Sequence, residues 1–215
     1  MSLRRAAAAV VLFGAATAAH AQFVINEGFN NVATLAGSGW ILSNASAPLG
    51  STPGWFQGDQ TIFTSQAGAP QAYLAANYNN AAAGGTLANW LISPTFSTQD
   101  AGVVSFYVRA EVVPEFSDKL KWGFSNGGSS FADFAFIGPD HTIGGDWTQF
   151  QINFGAQGAG SIGRFAIVYT GPADSANYVG VDTFTVAVPE PETWALMLAG
   201  LAGLGVLKRR RAVRR

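Results

Sequence analysis

Several stretches of the chain alternate apolar and polar side chains. In Arg164-Phe165-Ala166-Ile167-Val168-Tyr169 the larger residues Phe165, Ile167 and Tyr169 share one face. That is the period of a strand lying on a core. Runs rich in β-branched and aromatic residues also cover Val103–Val108, Leu120–Phe124, Trp147–Phe154 and Tyr178–Val186. In Trp147–Phe154 the phase shifts once between Trp147 and Phe150, which predicts a bulge there. Gly84-Gly85, Asn126-Gly127-Gly128, Gly138-Pro139-Asp140 and Gly171-Pro172 supply turn residues between the runs. Short strands at this spacing, with no amphipathic helix between them, predict an all-β domain, a jelly-roll-like β-sandwich over residues 22–186. Glu111–Glu115 reads as a hairpin loop within it.

The two ends follow another rule, because their apolar runs have no polar face. The first run, Ala6–Ala18, follows Arg4-Arg5 and precedes Ala19-His20-Ala21. A positive start, an apolar stretch and an A-x-A site make residues 1–21 a secretory signal peptide. The second run, Trp194–Leu207, follows a Pro/Glu linker over residues 187–193 and precedes a basic tail over residues 208–215. As a helix it reaches about 21 Å, short of the roughly 30 Å bilayer core. Snorkelling arginines and Trp194 at the far interface extend it to a marginal transmembrane helix. Positive charge stays on the cytoplasmic side, so the linker and the sandwich lie outside.

The order Pro189-Glu190-Pro191, apolar helix, then Arg209-Arg210-Arg211 resembles the PEP-CTERM sorting signal. That resemblance implies a Gram-negative bacterium that makes extracellular polysaccharide. It implies a transient stay in the inner membrane and processing by exosortase, a membrane cysteine protease. The destination would then be the cell surface or the extracellular matrix.

Charge and cysteine exclude further classes. The net charge of −1 conceals basic ends. Between Arg5 and Lys208 only Arg109, Lys119, Lys121 and Arg164 oppose all 13 acidic residues. An acidic middle repels phosphate backbones, so no nucleic-acid partner is expected. Cysteine is absent, which removes disulfides, thiolate nucleophiles and Cys-based metal sites.

The middle carries a second resemblance. Asn26-Glu27-Gly28-Phe29-Asn30, Gly39-Trp40, Pro48–Gly58, Ala72–Tyr78, Asn89–Pro94 and Ser105–Arg109 together look like the choice-of-anchor J domain of surface proteins. The likeness is detailed from Gln22 to Ser125 and continues as pattern to Val186. Asp118-Lys119-Leu120 departs from the Asp-Arg-Leu of many relatives. The resemblance implies a sandwich related to cleaved-adhesin domains and brings no catalytic residues with it. It also implies a structural Ca²⁺ near the first and last strands, for which Glu27, Asp182 and Asp59 are the candidate ligands. Acidic loops suit such a hard cation.

Candidate chemistry is sparse. His141 is the only histidine beyond the signal peptide and falls in a turn, a poor start for a serine triad. Glu111, Glu115 and Asp118 are the available paired carboxylates, interleaved with apolar residues. Aromatics at strand positions are mostly core. Trp55, placed after Pro53-Gly54, and the loop residues Asn77 and Tyr78 are the candidate ligand-binding residues. The expected function is a non-enzymatic structural or adhesion role. A carbohydrate-binding module for exopolysaccharide is the alternative, and an enzyme ranks third.

Overall fold

The structure is a computed structural model that describes residues 21–189 and 199–204. Residues 1–20 of the expected signal peptide (1–21), with Glu190, Pro191, Arg209, Arg210 and Arg211, lie outside the described residues. Gln22–Val188 form one compact unit.

Strands dominate this unit. They are β1 (Ala21–Glu27), β2 (Ile41–Asn44), β3 (Ala47–Leu49), β4 (Phe56–Gln57), β5 (Leu74–Asn77), β6 (Ala81–Ile92) and β7 (Phe96–Ser97). The second half adds β8 (Gly102–Ala110), β9 (Lys119–Ser125), β10 (Ala135–Phe136), β11 (His141–Thr142), β12 (Thr148–Phe154), β13 (Ile162–Pro172) and β14 (Tyr178–Pro189). One sheet runs β12-β8-β14-β5-β4, with β1 also on β14. The other runs β10-β9-β13-β6-β2, with β3, β7 and β11 along its edges. The two sheets form a sandwich, as the alternation predicts. All five expected runs are strands, each set within a strand or overlapping it.

Inward-pointing residues of both sheets fill the core. Phe106 of β8 meets Trp122 of β9 at 5.2 Å between ring centroids and Phe165 of β13 at 5.6 Å. Phe184 of β14 packs on Trp40 at 5.0 Å. Edge-to-face and tilted contacts of this kind add to the area each ring buries. Phe165, Ile167 and Tyr169 are all buried, as their shared face requires.

Two expectations are corrected. The bulge is absent from β12, whose register with β8 runs unbroken from Thr148↔Val108 to Phe154↔Gly102. Trp147 lies just before the strand and packs on Phe63 instead. The irregularity lies in β14, between Asp182 and Thr185, where Thr183 takes a left-handed φ of 50°. Glu111–Glu115 is not a hairpin loop either. It joins β8 to β9, which belong to different sheets.

On the outer face of the β8/β14 sheet, loop residues 58–72 cover one end. Phe63 stacks on Tyr73 at 4.9 Å and meets Tyr178 at 5.4 Å. Arg109 lies under it, with the guanidinium 4.6 Å from the ring centroid. Gly180 of β14 is required for this approach. A Cβ there would come within 2.9 Å of both Phe63 and Tyr73. The other end of the same face stays open.

Residues 199–204 are helical. Among the described residues no helix is long and apolar enough to cross a membrane. The rest of the expected span, 194–207, lies outside them.

Candidate functional site

The open end of that outer face is a groove of about 390 Å³ across β12, β8 and β14. Its floor follows from strand alternation. Phe106 and Val108 of β8 point into the core, so Ser105 and Tyr107 point out. On β12, Gln149 and Gln151 face outward and are exposed. Register brings Tyr107 opposite Gln149, and Ser105 opposite Gln151 and Thr185. The bulge turns Thr183 and Thr185 to the same outer side, while Phe184 and Val186 stay buried. Gln66, from the covering loop, forms one wall.

Internal bonds hold this lining. Ser105 Oγ and Thr185 Oγ1 share a hydrogen bond of 2.7 Å. Thr183 Oγ1 donates to Gln66 Oε1 at 2.7 Å. Beneath them Asp182 is fully buried. Its carboxylate accepts from the backbone N–H groups of Gln66 (2.8 Å), Ala67 (3.1 Å) and Thr183 (2.6 Å). Burial pushes this carboxyl up to about 6, and the backbone donors partly offset the shift. One carboxylate thus ties the loop to the bulged strand.

A second recess, of about 430 Å³, lies beside two short 3-10 turns, Tyr78–Asn80 and Ala173–Ser175. Tyr78 and Phe116 are exposed on its wall, with Asp174 and Asn177 as polar neighbours. Beneath it Asp118 is buried and accepts from Tyr169 Oη and from the backbone N–H groups of Asn177 (2.8 Å) and Tyr178 (3.3 Å). Burial raises the Asp118 carboxyl above its ordinary range. Glu111 meets the same asparagine, accepting from Asn177 Nδ2 at 2.9 Å. The structure therefore brings Glu111 and Asp118 near each other. Asp118, however, is spent on Tyr169 and the backbone, as a structural anchor is.

The other sequence-derived candidates separate. Trp55, expected on the surface, is only 6% exposed and belongs to the core, so it offers no stacking face. Asn77 caps the turn at Tyr78, accepting from Asn79 N at 3.0 Å. Of that trio Tyr78 is exposed and Asn77 half-buried. His141 stacks on Trp122 with centroids 4.0 Å apart. Glu27 accepts from Phe29 N at 2.8 Å. Asp59 accepts from Thr61 N and Oγ1, which hold its carboxyl below the usual range. Glu27 and Asp59 thus serve residues two positions on, and Asp182 serves the distant loop amides and Thr183. Among the described residues no three His, Cys, Asp or Glu side chains group to hold a metal.

The groove residues were not among the sequence candidates. One signal for them exists: polar residues at alternate positions in Gln149-Phe150-Gln151 and Thr183-Phe184-Thr185. What gathers them is register between strands distant in sequence.

Residues 187–212 match the PEP-CTERM protein-sorting motif. No curated protein matches the sequence. Among solved structures, the chain is similar to the K1 cleaved adhesin domain of Lys-gingipain from Porphyromonas gingivalis W83, with a TM-score of 0.57 at 18% identity. That match covers 75% of this chain and 96% of the domain. The K3 domain of the same protein gives 0.55 at 16% identity, over 77% and 98%. The K2 domain gives 0.56 at 17%, over 75% and 98%. These likenesses establish a shared sandwich fold. The PEP-CTERM match marks the chain as an exported protein, held at the membrane before its tail is processed.

Proposed function

We propose that this chain is a surface or extracellular-matrix protein of a Gram-negative bacterium, delivered by its tail and acting without catalysis. Residues 1–21 direct export and are removed. Residues 22–186 form a jelly-roll-like, choice-of-anchor J type module. The segment 194–207 tethers it in the inner membrane, with the basic tail 208–215 inside. An exosortase-type protease then processes the tail and passes the module outward.

The observation that carries this reading is the PEP-CTERM motif over residues 187–212. The sandwich supports an adhesion role through the fold it shares with cleaved adhesin domains. His141, stacked on Trp122, and Asp118, spent on Tyr169, fit packing rather than chemistry. Binding of extracellular polysaccharide is the second reading, favoured by the uncharged groove on the outer face.

Replacing Pro189 and Pro191 by alanine, or removing the exosortase-type protease from the host, tests the delivery. The protein should accumulate in the inner membrane at higher mass and vanish from the surface. Undiminished surface display in both strains would overturn the reading.

A further inference from the structure

The groove on the β12-β8-β14 face has a consistent chemistry. Its side chains are hydroxyls and carboxamides, with one phenol ring and two small apolar residues, Val103 and Ala187, at one end. No charged side chain lines it. This is notable in a chain whose middle is strongly acidic. The sandwich's few cations are placed elsewhere. Arg109 lies under Phe63, Lys119 and Lys121 belong to β9 of the other sheet, with Lys121 over Phe136 at 4.4 Å, and Arg164 Nη1 donates to Ser93 O at 2.7 Å.

We propose that this groove is a binding subsite for a segment of an uncharged polysaccharide. A polyanion would find no cation here to replace its counterions. An apolar peptide or lipid would strip water from hydroxyls and carboxamides and return no hydrogen bonds. A neutral polyhydroxyl chain exchanges those bonds one for one. Gln149 and Gln151 are exposed and each offers both a donor and an acceptor. Tyr107 adds an apolar ring face for sugar C–H groups and a polar tip.

The groove is also built before any ligand arrives. The Ser105–Thr185 and Thr183–Gln66 bonds fix four of its polar side chains. Asp182, buried beneath, clamps the loop amides of Gln66 and Ala67 and the bulge amide of Thr183. Thr183 keeps a left-handed φ of 50°, costly for a β-branched residue and held by these bonds. Fixing side chains in advance lowers the entropy lost on binding. The volume, about 390 Å³, falls within the range of small-ligand sites.

This proposal names the ligand class for the binding reading above and depends on export, because the polymer lies outside the cell. The test uses the processed protein as recovered from the surface or matrix of its host. It is run on native gels that contain a neutral galactan, a xylan, a β-glucan, the neutral fraction of the host's extracellular polysaccharide, or alginate. At least one neutral polymer should retard it, equally at about 50 and about 500 mM salt. Gln149→Ala with Gln151→Ala, and separately Tyr107→Ala, should weaken retardation at least tenfold while leaving the melting temperature unchanged. Tyr78→Ala should have no effect.

Retardation by alginate alone, loss only in Tyr78→Ala, or no retardation by any neutral polymer would overturn the proposal. Protease accessibility of the protein on intact cells separates the two readings. Surface exposure without gel retardation sinks the groove and leaves delivery standing, whereas a protected cytosolic chain sinks delivery.

Discussion

Asp182 shows how much one buried carboxylate does in this sandwich. It is fully buried and joins the loop at Gln66 and Ala67 to the bulge at Thr183. Its carboxyl is raised to about 6 from 3.8, chiefly by desolvation. The folded state therefore takes up this proton at higher pH than the unfolded chain does. The contribution of this group to stability rises as pH falls from above 6 towards 4, and is smallest above 6. Asp118, raised for the same reason, acts in the same direction. Asp182→Asn should lose about 1–3 kcal/mol at neutral pH, because an amide N–H₂ replaces an acceptor facing three donors. It should also flatten the stability profile between pH 4 and 6.5. Urea melts at pH 4.5 and 7.5 check both parts, and a variant with wild-type stability and slope would remove the clamp from the account.

The elements that open or close the outer face set what the groove can do. Phe63 of the covering loop packs on an aromatic group of Tyr73, Tyr178 and Trp147. The Trp147 indole N–H donates to Thr64 O at 2.9 Å. At its base, Tyr73 Oη donates to Asp59 O at 2.7 Å. Trp147→Ala should loosen this loop while the two-sheet core persists. Hydrogen exchange should then speed at least tenfold at the Gln66 and Ala67 amides and change little at Phe165 and Ile167. Equal acceleration at both places would mean the loop and core open together.

At this scale the sequence was legible where periodicity speaks. Phe165, Ile167 and Tyr169 declare a core face, and they form one. The bulge was misplaced because Trp147, one position outside β12, mimics a phase shift. The true shift is written in Val179, Val181, Phe184 and Val186, whose spacing breaks at Asp182-Thr183. Trp55 misled because a Pro-Gly turn before it suggests exposure, while packing from distant elements buries it. The groove was illegible for a related reason. Gln149, Tyr107 and Thr185 meet only through strand register, which no local pattern encodes.

Across the whole molecule, we propose that the ends carry destination and the sandwich carries recognition. The tail could be read directly, because its signal is local: Pro189-Glu190-Pro191, an apolar run, then arginines. The proposed recognition depends on a surface assembled from three strands and a loop. The central claim is that this chain leaves the cell and is shortened at both ends on the way. Intact-mass spectrometry of the protein from its native host tests it most directly. The account predicts a species that begins at Gln22 and lacks the basic residues of 208–215, recovered from the surface or matrix. A full-length chain in the cytosol, with Met1 and Arg215 both present, would contradict it.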